Sequence, residues 1–256
     1  MSQDFTGRVA MITGGSEGIG RATARLLAGR GATVIICARR PDKLEDARAE
    51  IAAVGHVETV QLDVSDDQAF TKAIEDAASR HGRLDMLVNN AMSVHYAPIA
   101  RLTLEHWRKD FAVNADAVFV GTKAAMKIMM AAGRGSIVNI SSSCGIRAAP
   151  FMASYSASKA ALIQFTAVAA MEGAREGVRV NAIVPGQVQT PSTSDFAAKA
   201  PDVAARTADA IPMGRSGQPE ELAEAIIFML SDAASYITGT ALPVDGGKAS
   251  QLYLPS

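Results

Sequence analysis

Short apolar runs rich in β-branched residues alternate with longer segments of helical period along almost the whole chain. The runs are VAMIT (9–13), TVIICA (33–38), VETVQLDV (57–64), LDMLVNNA (84–91), SIVNIS (136–141), VRVNAIV (178–184) and ALPV (241–244). The helical patterns between them cover 18–29, 42–53, 66–80, 104–132, 154–172 and 220–230. Several runs are apolar throughout, which is typical of parallel strands covered on both faces. This alternation predicts an α/β fold, a doubly wound parallel sheet with right-handed crossovers and helices on both faces.

Composition favours one globular domain and restricts the kinds of partner. Of the 256 residues, 48% are hydrophobic, and no repeat or linker divides them, so we expect a single domain over residues 1–256. The formal net charge of −1 argues against nucleic acid and anionic membranes as partners. No stretch has the length of a membrane span and no secretory leader is evident, so we expect a soluble, cytoplasmic protein.

Cysteines and histidines show no disulfide or metal pattern. Cys37 and Cys144 cannot form a disulfide framework, and both lie in apolar contexts typical of reduced thiols. The four histidines lack metal-ligand spacing, so we expect no metal site.

The least regular stretch runs from residue 187 to residue 213, where Pro, Ser, Thr and Ala are scattered without a period. A loop of this length in a compact domain is usually functional. We expect it to be a variable substrate loop or lid, with a mobile surface insertion as the alternative.

A glycine-rich turn, Thr13-Gly14-Gly15-Ser16-Glu17-Gly18-Ile19-Gly20, connects the first strand to the first helix. Glycines let the backbone turn sharply and approach a ligand closely. The N-terminus of the helix offers unpaired N–H groups to a pyrophosphate. After the first strand of a doubly wound sheet, the turn therefore predicts a dinucleotide site.

The end of the second strand bears on which dinucleotide is bound. An acidic residue there would favour the ribose 2′-hydroxyl of NAD, whereas an arginine would favour the 2′-phosphate of NADP. The chain reads Cys37-Ala38-Arg39-Arg40, so Arg39 predicts NADP. Glu17 in the glycine turn could lie near the same phosphate and keeps NAD open as the alternative.

Tyr155 and Lys159 are four residues apart at the start of a helical pattern, so their side chains share one face. A nearby ammonium should lower the pKa of the tyrosine, which could then exchange a proton with a developing alkoxide. Ser142 follows the strand SIVNIS, and its hydroxyl could hold a substrate carbonyl at the carboxyl edge of the sheet.

Together these residues resemble the short-chain dehydrogenase/reductase family, in its compact single-domain branch. The resemblance covers residues 7–247 and rests on Thr13–Gly20, Asn89-Asn90-Ala91, Asn114, Ser142, Tyr155-x-x-x-Lys159 and Pro185-Gly186. It implies a single-domain Rossmann fold with a seven-stranded sheet, and hydride transfer between a nicotinamide and a carbonyl or secondary alcohol. A homo-oligomer, tetramer or dimer, is the family expectation.

The resemblance also implies roles for individual residues. Tyr155 would be the general acid/base, Lys159 would bind the nicotinamide ribose, Ser142 would orient the substrate oxygen, and Asn114 would open its helix locally and hold a water in a proton relay. The cofactor-binding set it implies comprises Gly14, Ser16, Gly18, Ile19, Gly20, Arg39, Asp63, Val64, Asn90, Ala91, Tyr155, Lys159, Pro185, Gly186, Val188 and Thr190.

The chain departs from the family pattern at two positions. Met92 replaces the glycine that usually follows the Asn-Asn-Ala segment and could narrow the mouth of the site, and Glu17 stands where NADP-preferring relatives often carry a basic residue. Candidate substrate-pocket residues are mostly apolar, which favours a hydrophobic substrate. They are Met92, His95, Cys144, Ile146, Met152 and Gln187.

These observations predict an NADP-dependent reductase of a hydrophobic ketone or 3-oxoacyl compound. The alternative on the same site is an NAD-dependent secondary-alcohol or hydroxysteroid-type dehydrogenase. A non-catalytic nucleotide sensor would have lost the tyrosine, lysine or serine, and all three are intact.

Overall fold

In the computed structural model, which describes residues 4–251, a seven-stranded parallel sheet forms the centre of the molecule. The strands are β1 (Val9–Thr13), β2 (Thr33–Ala38), β3 (Val57–Gln61), β4 (Met86–Asn89), β5 (Gly135–Ile140), β6 (Val178–Pro185) and β7 (Ala241–Val244). Their order is β3-β2-β1-β4-β5-β6-β7, and all neighbouring pairs are parallel. The chain winds outward from β1 to one edge, then from β4 to the other. The predicted doubly wound Rossmann sheet is confirmed.

Helices cover both faces of the sheet. They are α1 (Gly18–Gly29), α2 (Pro41–Ala52), α3 (Asp67–His81), α4 (Leu104–Phe111), α5 (Ala117–Ala131), α6 (Ala153–Gly173), α7 (Pro191–Lys199), α8 (Pro201–Asp209) and α9 (Pro219–Leu230). Successive strand residues face opposite sides, so Ile12 packs in the core under α1, α2 and α9. Met11 packs in the second core, under α3, α5 and α6.

The helical pattern 104–132, predicted as one helix, is interrupted. α4 ends at Phe111, residues Ala112–Asp116 form a π-helical turn, and α5 begins at Ala117. The widened turn contains Asn114, a residue type that favours local side-chain bonds over a regular helix. The local opening expected at Asn114 is therefore present.

The prediction of an irregular stretch over 187–213 is wrong for most of its length, because α7 and α8 lie within it. Each begins with a proline at its first helical position, where the missing N–H costs no intrahelical bond. The prolines therefore mark helix starts here and not loop structure.

Helix α9 packs on α1, and its apolar residues Ala223, Ile226 and Ile227 are fully buried. This apolar face therefore belongs to the core of the chain. Within residues 4–251, no helix is long and apolar enough to cross a membrane.

Candidate active site

The glycine turn is fixed to the end of β4 by a compact set of hydrogen bonds. The Thr13 hydroxyl accepts the backbone N–H groups of Asn90 and Ala91 at 2.9 and 3.1 Å. The Asn90 amide donates to the carbonyls of Thr13 and Gly14, both at 3.1 Å. In this structure Asn90 and Ala91, both predicted to bind cofactor, thus hold the turn in shape.

Two glycines of the turn are required by its geometry. A Cβ on Gly20 would lie 2.3 Å from the Gly14 carbonyl oxygen, which no side chain tolerates. Gly18 has a φ of +52°, and a Cβ there would lie 3.0 Å from Cγ2 of Thr190. The segment that follows β6 therefore reaches the glycine turn, and two separate parts of the implied cofactor-binding set become neighbours.

The start of α1 fits the pyrophosphate of a nicotinamide dinucleotide. Glu17 occupies the N-cap position in extended conformation, but its side chain makes no capping bond, and the first turn holds no acidic residue. The N–H groups there and the positive end of the helix dipole suit an anion at the carboxyl edge of the sheet. Ser16 is buried in the turn, and Ile19 packs against the core below it.

Two arginines that lie directly after β2 have different surroundings. Arg40 forms an ion pair with Glu17, while Arg39 is exposed at the strand end. Burial raises the pKa of Asp63, but hydrogen bonds from Ser65 and the charge of Arg39 outweigh it and lower that pKa. Val64, the next residue, is buried.

The segment after β6 contains the remaining residues assigned to the cofactor. Pro185 ends the strand, and a Cβ on Gly186 would lie 2.8 Å from Cα of Asp245, so the two loops touch. Val188 is buried and its carbonyl accepts the Thr193 hydroxyl at 2.6 Å. The Thr190 hydroxyl lies 3.2 Å from the same Thr193 hydroxyl. These contacts fix the segment at the start of α7.

Tyr155, Lys159 and Ser142 meet at the carboxyl edge of β5. Tyr155 lies in the first turn of α6 and is 8% exposed, and the Ser142 side chain acts to lower the pKa of its phenol. The Lys159 ammonium lies 5.8 Å from the centroid of the Tyr155 ring and donates to the Ile140 carbonyl at 2.7 Å. The helical spacing thus brings the tyrosine and the lysine together, and the end of β5 supplies both the serine and the lysine's acceptor.

The predicted lowering of the tyrosine's pKa is wrong. Burial raises the pKa of Tyr155 to about 12, and the Ser142 side chain only partly offsets this increase. Burial also lowers the pKa of Lys159 to about 7, so the lysine carries only part of its charge near neutral pH. Desolvation of both groups, which the sequence spacing does not reveal, decides the direction.

Asn114 links three segments around this centre. Its amide donates to the Ser93 carbonyl at 2.8 Å and to the Ser158 hydroxyl at 3.1 Å, and its oxygen accepts the Ser93 N–H at 2.9 Å. Ser158 lies between Tyr155 and Lys159 on α6. The π-helical turn therefore ties the loop after β4 to the helix that carries the tyrosine.

Asp110, one helical turn before Asn114, is a buried residue that the sequence analysis missed. Its carboxylate accepts the Ser154 hydroxyl at 2.5 Å, the Ser93 hydroxyl at 2.8 Å and Nδ1 of His95 at 2.7 Å. A carboxylate four residues from Asn114 shares its helix face, and this spacing was the available signal.

The remaining pocket candidates lie in the segments that follow β4, β5 and β6. Met92 is 48% exposed, and Ile146 is half-buried. Cys144 Sγ lies 4.0 Å from Sδ of Met152, and burial raises the pKa of the thiol, so packing and not nucleophilic chemistry describes this cysteine. Gln187 is half-buried, and its Oε1 has no partner within residues 4–251.

A glycine-rich turn suited to a pyrophosphate and a buried tyrosine–lysine pair lie at the same edge of a doubly wound sheet. Together they define a dinucleotide-dependent oxidoreductase. The family model described as enoyl-(acyl carrier protein) reductase matches residues 14–249. The chain belongs to the short-chain dehydrogenase/reductase family, and it is an NAD(P)-dependent oxidoreductase acting on CH–OH or C=O groups.

Relatives of known name cover nearly the whole chain. A 2,5-dichloro-2,5-cyclohexadiene-1,4-diol dehydrogenase from Sphingobium indicum is 41% identical over 96% of this chain and 98% of the relative. A cis-4-hydroxycyclohexanecarboxylate dehydrogenase from Sinomonas cyclohexanicum is 41% identical over 96% of this chain and 98% of the relative. A 3-oxoacyl-[acyl-carrier-protein] reductase from Thermotoga maritima is 40% identical over 94% of this chain and 97% of the relative.

Solved structures match the fold closely. An NAD(P)-dependent gluconate 5-dehydrogenase structure from Beutenbergia cavernae, with NADP bound at low occupancy, has a TM-score of 0.93 and 37% identity over 98% of this chain and 100% of that one. A xylitol dehydrogenase with bound NAD⁺ has a TM-score of 0.91 and 29% identity over 95% of this chain and 99% of that one.

Proposed function

We propose that Tyr155 is the general acid/base of a reaction that interconverts a ketone and a secondary alcohol. Its buried, protonated phenol supports donation of a proton to a ketone oxygen, and the Ser142 hydroxyl beside it would hold that oxygen. A bound nicotinamide dinucleotide would supply or accept the hydride. The observation that carries the proposal is the meeting of Tyr155, Ser142 and Lys159 at the edge of β5.

Lys159 and Asn114 would support this proton transfer. The ammonium of Lys159 is buried beside the tyrosine ring, so any charge it holds favours the phenolate required for alcohol oxidation. The same ammonium would bind the nicotinamide ribose. Asn114 would keep the loop after β4 and the tyrosine's helix in register through its bonds to Ser93 and Ser158.

Replacing Tyr155 with phenylalanine tests the mechanism. The variant loses only the hydroxyl, so cofactor affinity should stay near that of the wild type while kcat falls about 10²–10⁴-fold, the usual contribution of general acid–base catalysis. Tyr236→Phe is the matched control, because that tyrosine is fully exposed and lies outside the segments that form the site. An unchanged kcat in Tyr155→Phe would refute the proposed role.

We propose NADP(H) as the cofactor. The ion pair with Arg40 neutralises Glu17, and the exposed Arg39, which forms no ion pair among the described residues, would then offer its guanidinium fork to a 2′-phosphate. Fluorescence titration should give tighter binding of NADPH than of NADH, and Arg39→Ala should weaken NADPH binding about 10-fold while leaving NADH unchanged. Arg48→Ala, at a site already paired with Glu45, is the control. Tighter binding of NADH would support the NAD-dependent alcohol dehydrogenase instead.

We propose a ring-shaped secondary alcohol or its ketone as the substrate class. Two of the relatives act, by name, on hydroxylated six-membered rings, and the apolar residues around Tyr155 support a compact hydrophobic substrate. Initial rates with cyclohexanol or cyclohexanone and either cofactor test this class. Activity on neither, under conditions where the cofactor binds, would refute it.

A specific cavity favours the 3-oxoacyl compound as the second candidate. A mostly apolar cavity of about 320 Å³ lies beside the first turn of α6 and is lined by Ile99, Leu102, Thr103, Leu104, Trp107 and Ala153. It could take part of an acyl chain. A 3-oxoacyl thioester reduced at a higher kcat/KM than cyclohexanone would favour this candidate.

Single-domain organisation, a lid and self-association complete the proposal. The one parallel sheet supports one domain. Helices α7 and α8 come directly after the residues that reach the glycine turn, which supports a lid over 187–213.

Exposed Phe119, Val168 and Met171 on α5 and α6 support a homo-oligomer, tetramer or dimer. Light scattering on the purified protein would give its mass, and a monomer would contradict the last point.

A further inference from the structure

A fully buried carboxylate lies next to the tyrosine's helix. Asp110 has 0% exposure and accepts hydrogen bonds from Ser93, from the backbone N–H of His95 at 3.2 Å, from Nδ1 of His95 and from Ser154. Burying a carboxylate is costly unless hydrogen bonds compensate for it. Four donors, contributed by the loop after β4 and the start of α6, do so here.

The contacts of His95 fix the tautomer and the orientation of its imidazole ring. A carboxylate can only accept, so Nδ1 of His95 carries the hydrogen in that bond. One face of the imidazole stacks on His106, with ring centroids 4.3 Å apart and an interplanar angle of 12°. The side chain is 29% exposed, and Nε2 has no hydrogen-bond partner among the described residues. The ring is thus fixed on two sides, with one polar atom left to bind something else.

The imidazole belongs to the same site as Tyr155. Asp110 bridges it to Ser154, the residue that precedes Tyr155, so two hydrogen bonds separate the ring from the first turn of α6. The negative charge of Asp110 also contributes to the raised pKa of the Tyr155 phenol. The loop after β4 is held in place by the bond from the Ala97 N–H to the Phe151 carbonyl at 2.9 Å.

We propose that Nε2 of His95 binds a second hydroxyl group of the substrate, away from the carbon that reacts. A hydroxyl can donate to the neutral ring or accept from the charged one, so it suits Nε2 in either protonation state, whereas a ketone oxygen suits only the charged ring. The preferred substrates are therefore cyclic diols or hydroxyketones. Asp110 is a positioning residue that sets the orientation of the imidazole. This inference rests on the proposed function.

The test compares cyclohexanol with cis-1,4-cyclohexanediol, which adds one hydroxyl across the ring. The measured quantity is the ratio of kcat/KM for the diol to that for cyclohexanol, with NADP⁺ and with NAD⁺. We expect the wild type to favour the diol and His95→Phe to lower the ratio about 10-fold, mainly through KM for the diol, as expected for one lost hydrogen bond. His95→Gln should restore part of it, and Asp110→Asn should lower it less than His95→Phe. His106→Phe, which retains an aromatic stacking face, should leave it unchanged.

Three outcomes would overturn the inference. A wild-type ratio at or below unity, or an equal loss for both alcohols in His95→Phe, would overturn it alone, because cyclohexanol turnover would still support the proposed function. Turnover of neither alcohol by the wild type would overturn the proposed function and this inference together.

Discussion

Lys159 is the residue whose functional position costs the fold most, and replacing it with methionine tests that cost. Methionine keeps an unbranched, apolar side chain of similar length but carries no charge. We expect Lys159→Met to abolish turnover and, in the cofactor-free protein at neutral pH or below, to raise the free energy of unfolding. A gain in stability on loss of a catalytic group is expected where a site holds a buried charge.

The magnitude follows from the burial of the ammonium. Burial lowers the pKa of Lys159 from 10.5 to about 7, and such a difference corresponds to about 5 kcal/mol, at about 1.36 kcal/mol for each pKa unit. The substitution also removes the 2.7 Å bond to the Ile140 carbonyl, and an unpaired buried acceptor costs about 1–3 kcal/mol. The net stabilisation at pH 7 and below is therefore about 2–4 kcal/mol.

The dependence on pH has a defined sign. Because the pKa of Lys159 in the folded protein is lowered, the unfolded chain binds more protons between the folded pKa of about 7 and the unfolded value of 10.5. The wild type therefore gains stability as pH rises through this window, and the advantage of Lys159→Met shrinks by about 2 kcal/mol by about pH 8.5. Burial also raises the pKa of Cys37 and Tyr155, but both proteins contain these groups, so their effects largely cancel in the difference.

Urea denaturation of the apoprotein, followed by circular dichroism at about pH 6 and about pH 8.5, measures both quantities. Lys127→Met, at an exposed position on α5, is the matched control and should follow the wild type at both pH values. If wild type and Lys159→Met change in parallel with pH, or if the variant is the less stable at low pH, the assigned cost of the buried ammonium is wrong.

Three further substitutions test other contacts of the site. Cys144→Ala should keep kcat within about threefold of the wild type, since its buried thiol has a raised pKa; a complete loss of activity would restore the case for thiol chemistry. Gly20→Ala should destabilise the protein by about 3 kcal/mol in thermal or urea unfolding and abolish cofactor binding, because its Cβ would lie 2.3 Å from the Gly14 carbonyl oxygen. The control Gly133→Ala should cost only about 1–2 kcal/mol, because Gly133 has a φ of +65° but open space around it. Asn114→Ala should lower the free energy of unfolding by about 1–3 kcal/mol and reduce kcat, because the loop at Ser93 loses two bonds and Ser158 loses one. Unchanged kinetics would assign Asn114 a purely structural role.

Elements with a strong local signal were predictable. All seven strands overlap the predicted runs. The central strands are nonpolar on both faces because both faces are buried, whereas the edge strands β3 and β7 are only partly buried. Tyr155 and Lys159 meet because helical spacing places them on one face of α6. Helices α7 and α8 were missed because their prolines were interpreted as loop residues, although proline at the first helical position is compatible with a helix.

The sequence by itself determined the sheet, the glycine turn and the order of the tyrosine, lysine and serine, since each depends on periodicity or spacing within a short segment. Only the tertiary structure decided the pairing of Glu17 with Arg40, the bond from His95 to Asp110 and the direction in which the pKa of Tyr155 shifts. These properties depend on which side chains from separate segments come within hydrogen-bond distance and on how much water is excluded around them. Neither quantity has a local pattern in the chain, because both arise only when the strands and helices pack together.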